Sequence, residues 1–283
     1  MAAIRQFRSS SAVRAGALAL LVLFFIWSAA GCRARAPAGT GRSLTVAGST
    51  SVQPFAEILA EDFYKKTGTN VNVQGGGSSA GAQAARSHVA DIGTLSRELK
   101  PDEAAVLTEF VIAHDAIAIV VNPQNPVAAL TTEQIRGIFS GTISDWSQVG
   151  GPQGPITVIS REEGSGTRGA FDELLMGKAE LTPRALVQDS NGSVKETVAQ
   201  DPRAIGYISL GIVDARVKPV TVDGVTPSVE TVLNKEYSLV RPFLFVTAGP
   251  PQGHVKEFID YVLGPEGQKI LRDEGLVPAG PTK

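Results

Sequence analysis

The sequence predicts an α/β protein built on a mostly parallel sheet, and three observations carry that expectation. Strand, small-residue turn and helix follow one another twice within residues 43–94 and a third time across residues 156–176. That alternation marks βαβ units, whose crossover helices bring successive strands side by side in the same direction. Composition is that of a globular chain, with 43% apolar and 19% charged residues, which argues against disorder. The 283 residues suit two modest lobes or one large domain.

Residues 43–47 (SLTVA) form the first short strand, which runs into Gly48-Ser49-Thr50-Ser51. A helix follows over 52–67, with Phe55, Ile58, Leu59 and Phe63 at helical spacing and Gly68 closing it. Residues 70–74 (NVNVQ) are the second strand, then come Gly75-Gly76-Gly77-Ser78-Ser79 and a helix through Val89. Residues 90–94 (ADIGT) are the third strand. The apolar stretch at 110–121 (FVIAHDAIAIVV) is long enough to cross between lobes. A helix at 131–139 takes Thr131 or Thr132 as its N-cap. The strand at 156–160 leads through Arg161-Glu162-Glu163-Gly164-Ser165-Gly166-Thr167 into a helix at 168–176. Residues 204–209 and 244–248 read as extended, and 254–275 as helical with a break at Gly264-Pro265.

Ahead of the first strand lies an address. Residues 1–31 read as an export signal: Arg5, Arg8 and Arg14, an apolar stretch from Ala15 to Trp27, then Ser28-Ala29-Ala30-Gly31. The apolar stretch is short of the ~20 residues a spanning helix needs. Cys32, the single cysteine of the chain, follows directly. The arrangement resembles the lipobox of bacterial lipoproteins, with Ala29 where leucine is commoner. It makes Cys32 the expected lipidation site and residues 32–42 a flexible tether. An ordinary cleaved signal, or an uncleaved anchor with Cys32 incidental, is the alternative. One cysteine allows no internal disulfide.

Charge excludes one class of partner. The formal net charge is −2, and removing the three arginines of residues 1–31, which hold no acid, leaves −5. Such a chain has no global field for nucleic acid, so an anion site must be built locally. Three turns share the chemistry for one: hydroxyls and glycines at a strand end, just before a helix. Helix N-termini offer unpaired N–H groups and partial positive charge, and ligands of α/β sheets gather beyond the carboxyl ends of strands. One such turn is ordinarily only an N-cap; three, one of them preceded by an arginine, point to an oxyanion. No cysteine–histidine cluster with metal spacing occurs, and no cofactor or metal is expected.

The segments GSTSVQPFAEILAEDF, VQGGGSSAGAQAA, DIGTLSREL, LTTEQIRGIFSGTISDWSQVGG, SREEGSGTRGAF, AIGYISLG and GLVPAG together resemble the phosphate-binding proteins of ABC importers. The resemblance runs in matching order from Ser43 to Gly280. It implies the type II periplasmic-binding-protein fold: two α/β lobes joined by two crossing strands that act as a hinge, enclosing inorganic phosphate. Lobe one would comprise 43–118 plus 243–283, and lobe two 119–242. The implied anion contacts are Thr50, Ser51, Ser78, Ser96, Arg161, Ser165, Gly166 and Thr167, with Glu163 holding Arg161. The implied partners are the transmembrane subunits of an ABC permease, and a monomer is expected on the extracytoplasmic side of a bacterial membrane.

Ser96 is a departure, because well-known members carry an aspartate there that accepts a hydrogen bond from protonated phosphate. A hydroxyl can accept or donate, so rejection of sulfate is less secure. Arg97, beside Glu98, reads equally as a ligand or a surface charge. Other readings compete. The same residues serve another tetrahedral oxyanion or a phosphate sensor. Gly77-Ser78-Ser79-Ala80-Gly81 also satisfies the nucleophile-elbow pattern of a secreted hydrolase using Ser79. Against that, an elbow normally follows several strands, and the pattern explains neither GSTS nor REEGSGTR. His88, His114 and His254 all have structural readings, His114 as a core hydrogen bond beside Asp115.

Overall fold

The computed structural model describes residues 42–279; the expected signal segment, Cys32 and the tether up to Gly41 lie outside the described residues. β1 (Ser43–Gly48) leads into α1 (Gln53–Thr67), β2 (Asn70–Gly75), α2 (Ser78–Arg86) and β3 (Ile92–Leu95). A short α3 (Pro101–Ala104) precedes the longest strand, β4 (Thr108–Val121). Then come β5 (Ala129–Leu130), α4 (Thr132–Ser140), β6 (Thr157–Arg161), α5 (Gly166–Phe171), β7 (Leu186–Gln188), α6 (Asn191–Gln200) and β8 (Ala204–Ser209). β9 (Lys218–Pro219), β10 (Thr221–Val222) and α7 (Val229–Leu233) lead to β11 (Val240–Thr247). The chain closes with α8 (Gly253–Leu263), α9 (Pro265–Asp273) and β12 (Val277–Pro278).

Local chemistry sets the element ends. Thr131 is the N-cap of α4: its hydroxyl accepts from Gln134 N, and the Gln134 side chain accepts from Thr131 N. α1 stops where Gly68 turns left-handed at φ 71°. The helical tail breaks at Gly264, with Pro265 as the first residue of α9. α2 ends at Arg86, earlier than the sequence implies, and His88 takes a positive φ before β3 begins at Ile92. α5 begins at Gly166, earlier than expected, and runs on into a π-helical turn at Asp172–Met176.

The sheet order is β2-β1-β3-β11-β4-β8-β6-β7. The strands at each flank are parallel, β1 with β2 and β3, β6 with β7 and β8. The centre is antiparallel, because β4 carries the chain out of one lobe and β11 brings it back. The first half of β4 pairs with β11, and its second half with β8.

The two α/β lobes have separate cores. One joins Leu44, Val46, Phe55, Leu59, Phe63 and Ile92 to Phe243, Phe245, Phe258 and Leu271. The other joins Ile117, Ile119, Ile135, Phe139, Trp146, Phe171, Tyr207 and Leu239. Each fully buried Leu or Phe contributes about 1.5–3 kcal/mol, so each lobe has its own reason to stay folded. On β4, Ala113 belongs to the first core and Ala116 to the second; on the return, Leu239 belongs to the second and Phe243 to the first. Asp115 and Arg241 fall in the short interval between cores.

Candidate functional site

The loops leaving β1, β2 and β3 meet those leaving β6 and β7 at the carboxyl ends of their strands, where α/β sheets place ligands. Contact across the meeting is direct. Ser51 Oγ lies 2.8 Å from Thr167 Oγ1, Arg161 Nη2 donates to Thr50 Oγ1 at 3.3 Å, and Ser79 N donates to Gly164 O at 3.1 Å. Gly166 permits this approach. A Cβ there would sit 2.1 Å from Ser78 Oγ and 2.7 Å from Ser96 Oγ, a separation no side chain tolerates.

Lobe-one residues contribute a chain of buried hydroxyls. Ser49 Oγ accepts from the N–H groups of Ser51 and Val52 at 3.2 and 3.4 Å. Its own proton therefore goes to Ser96 Oγ at 2.9 Å. Ser78 Oγ accepts from Ser96 N at 3.0 Å and lies 3.4 Å from Ser96 Oγ. Ser51, Ser78 and Ser96 are all fully buried. α2 can bring Ser78 this close because Gly81 packs on the backbone, a Cβ there lying 2.8 Å from Ala47 O.

Arg161, the last residue of β6, is only 1% exposed. Tyr207, whose hydroxyl burial pushes up to about 12, accepts from Arg161 N at 3.3 Å and meets Ser160 Oγ at 2.8 Å, which fixes the strand end. The guanidinium is oriented by Glu162, which accepts from Nε at 3.0 Å and Nη2 at 2.9 Å. The carbonyls of Gln188 and Asp189 accept from it at 3.1 Å each. Nη1 is buried with no hydrogen-bond partner among the described residues. With Nε and Nη2 tied back, Nη1 is the arm left to donate a charge-assisted hydrogen bond to an oxyanion.

Two expectations need correction here. The carboxylate that holds Arg161 is Glu162, not Glu163. The chain folds back immediately after β6, laying Glu162 along the guanidinium while Glu163 is turned out to solvent. Arg97 is neither a ligand nor a surface charge. It is 7% exposed, makes a bidentate pair with Glu103 at 2.7 and 2.8 Å, and donates to Glu98 O at 2.8 Å.

Ser165 caps α5, its hydroxyl accepting from Arg168 N at 3.2 Å; Gly166 and Thr167 form the first turn. The structure thus gathers Thr50, Ser51, Ser78, Ser96, Arg161, Ser165, Gly166 and Thr167 in one place. It adds residues that sequence reasoning missed. Asn191, fully buried at the start of α6, donates to Ser51 Oγ at 2.8 Å, Thr50 Oγ1 at 3.2 Å and Thr167 Oγ1 at 3.4 Å. The signal was present in Ser190-Asn191-Gly192-Ser193, a fourth small polar turn ahead of a helix, though β7 is too short and exposed to announce itself. Arg241 also reaches Ser51, donating at 3.1 Å. Nothing in the sequence around it distinguishes that arginine from a surface one.

The hydrolase reading finds no support in these contacts. Ser79 Oγ accepts from Arg97 at 3.4 Å, and His254, on α8, pairs with Glu257 at the surface. His114 makes no core bond to Asp115, which pairs instead with Arg241 and Ser209; burial holds the His114 imidazole below its ordinary value. Among the described residues no group of His, Cys, Asp or Glu could hold a metal.

Comparison with known proteins places this geometry. Residues 34–266 match the PBP superfamily domain. Over 242 residues the chain is 32% identical to the phosphate-binding protein PstS of Bacillus subtilis, covering 83% of this chain and 80% of that one. The chain belongs to the PstS family. This PstS-family chain therefore has the type II periplasmic-binding-protein fold and is a solute-binding transport protein, not an enzyme. A Clostridium perfringens protein solved with bound phosphate superposes with a TM-score of 0.82 at 44% identity, covering 84% of this chain and all of that one. An ABC-type phosphate transport receptor from Vibrio cholerae gives 0.71 at 38% identity, covering 84% of this chain and all of that one.

Proposed function

We propose that this chain captures inorganic phosphate between its two lobes and delivers it to an ABC permease outside the cytoplasm. The observation that carries the reading is the buried, unpartnered Nη1 of Arg161 in a ring of buried hydroxyls. A buried donor left unpaired costs about 1–3 kcal/mol, and an oxyanion lodged among Thr50, Ser51, Ser78, Ser96 and Thr167 would satisfy it. The names of the Bacillus and Vibrio relatives supply the identity of that anion. Calorimetric titration with phosphate, sulfate, molybdate and tungstate tests the reading: phosphate should bind most tightly, and equal or tighter sulfate binding would overturn the substrate.

The lobe limits we propose are 43–118 plus 243–283 and 119–242. Support comes from the change of core, which falls between Ala113 and Ala116, a few residues ahead of the first limit, and between Leu239 and Phe243, at the second. We further propose that Cys32 is lipidated, that the protein is anchored through it, and that it acts as a monomer. Support for the anchor comes from the order of basic start, apolar stretch, small residues and cysteine. Cys32→Ala should move the protein from the membrane fraction to the soluble one with phosphate affinity unchanged. A variant still in the membrane would sink Cys32 as the anchor.

A further inference from the structure

Asp115 and Arg241 are register partners on β4 and β11, at the point where both strands pass between cores. Arg241 donates to Asp115 Oδ2 from Nε at 3.0 Å and from Nη2 at 2.8 Å, and both side chains are essentially fully buried. Asp115 Oδ1 accepts the Ser209 hydroxyl at 2.8 Å. Burial pushes the Asp115 carboxyl up and the Arg241 guanidinium down, and their pairing opposes both. Desolvation of a buried ion pair can exceed its Coulombic gain, so stability is a weak reason for such a pair at a hinge.

The guanidinium reaches further. Nη2 also donates to Ser51 Oγ at 3.1 Å, and Nη1 to Ser96 O at 3.3 Å. Ser51 Oγ takes a second donor, the Asn191 amide, at 2.8 Å. That amide is oriented by Ser209 N, which donates to Asn191 Oδ1 at 3.2 Å. A hydroxyl has two acceptor positions and one proton. Arg241 and Asn191 fill both acceptor positions of Ser51, so its proton must be given away. Thr167 Oγ1, 2.8 Å distant, receives it. Thr167 also takes a longer contact from Asn191 at 3.4 Å, so its own proton is spent on neither.

We propose that Arg241, held by Asp115, is a positioning residue that fixes Ser51 as the donor to Thr167 and so leaves the Thr167 proton for the ligand. The ligand oxygen that Thr167 faces must then accept, the role that an unprotonated oxygen fills. Resting on the phosphate reading above, this assigns the proton of monoprotonated phosphate to the side of Ser78 and Ser96. The relay is complete only when the loops after β1, β6 and β7 meet, so donor polarity and closure are set together.

The test is a double-mutant cycle on phosphate Kd with the full chain. Arg241→Gln alone leaves Asp115 buried and unpaired and risks misfolding; Asp115→Asn/Arg241→Gln removes both charges at once. That neutral pair, with and without Ser51→Ala, is compared with wild type and with Ser51→Ala. We expect the pair to weaken phosphate at least tenfold when Ser51 is present and less than threefold when it is not. A merely structural role would shift Tm and weaken binding by the same factor in both backgrounds, which overturns the relay. So does a neutral pair that binds as wild type. A wild-type chain that binds sulfate and not phosphate would sink the substrate reading alone, and the same cycle run on sulfate would then decide the relay.

Discussion

The loops after β1, β2 and β3 present hydroxyls to the cleft, with Arg97 tied back to Glu103. The loops after β6 and β7 present a guanidinium, an amide and the hydroxyl of Thr167. One wall is neutral and densely hydrogen-bonded to itself; the other carries the charge. The difference teaches how a chain with net charge −5 outside its first 31 residues can hold an anion. In the proposed reading the desolvated Arg161 guanidinium supplies the attraction, while hydroxyls on the opposite wall supply geometry without adding charge that would have to be buried.

The largest effect should come from the charged wall. Arg161→Ala removes the guanidinium whose Nη1 is buried without a partner among the described residues, and losing one partner of a buried charged contact costs about 2–5 kcal/mol. Phosphate affinity should fall well over tenfold by calorimetry, since about 1.4 kcal/mol is tenfold. Normal binding by that variant would erase the contrast between the walls. Gly166→Ala should come next. Its Cβ would collide with Ser78 and Ser96, and overpacking of this kind costs about 1–3 kcal/mol. Because the collision exists only where the walls touch, affinity should drop fivefold or more while the ligand-free Tm stays near wild type.

Ser96→Asp would sharpen the comparison by placing charge on the neutral wall. An obligatory acceptor left unpaired against sulfate costs about 1–3 kcal/mol, so the preference for phosphate over sulfate should widen. Ser49 and Ser78, 2.9 and 3.4 Å from Ser96 Oγ, are placed to solvate the new carboxylate. Competition by sulfate against bound phosphate at fixed pH and ionic strength measures the margin; an unchanged margin would show that protonation is read elsewhere.

The smallest effect on binding should come from Arg97→Gln/Glu103→Gln, with phosphate affinity within about twofold of wild type, because the pair's hydrogen bonds go to each other and to Glu98 O. Its signature is in stability. Burial raises the Glu103 carboxyl, but its bonds to Arg97 and the backbone outweigh this and leave it below the ordinary value. A carboxyl depressed in the folded state stabilises above its unfolded pKa and loses that contribution as pH falls through the folded one. The double variant should therefore show a flatter acid limb in thermal denaturation against pH; an unaltered limb would mean that other carboxylates dominate it.

Much of the fold was legible because it rests on local chemistry. Apolar spacing placed α1, Thr131 capped α4, and Gly264-Pro265 broke the tail, all from contacts within a few residues. The clustered hydroxyls were legible too, since Ser51, Ser78 and Thr167 announce themselves as small residues between a strand and a helix. Family resemblance then singled out Ser96 and Arg161, which the structure brings beside those hydroxyls. Tertiary structure alone decided the rest. Whether Glu162 or Glu163 holds Arg161 depends on how the chain folds back after β6, which either residue type permits. Arg97 looked free because Glu103 lies six residues on, and only α3 brings that carboxylate back. Arg241 and Asp115 stand 126 residues apart in the chain, inside strands whose neighbours are apolar, and no local pattern links them. Side-chain charge is written in the sequence, but its partner is chosen by a pairing of distant strands.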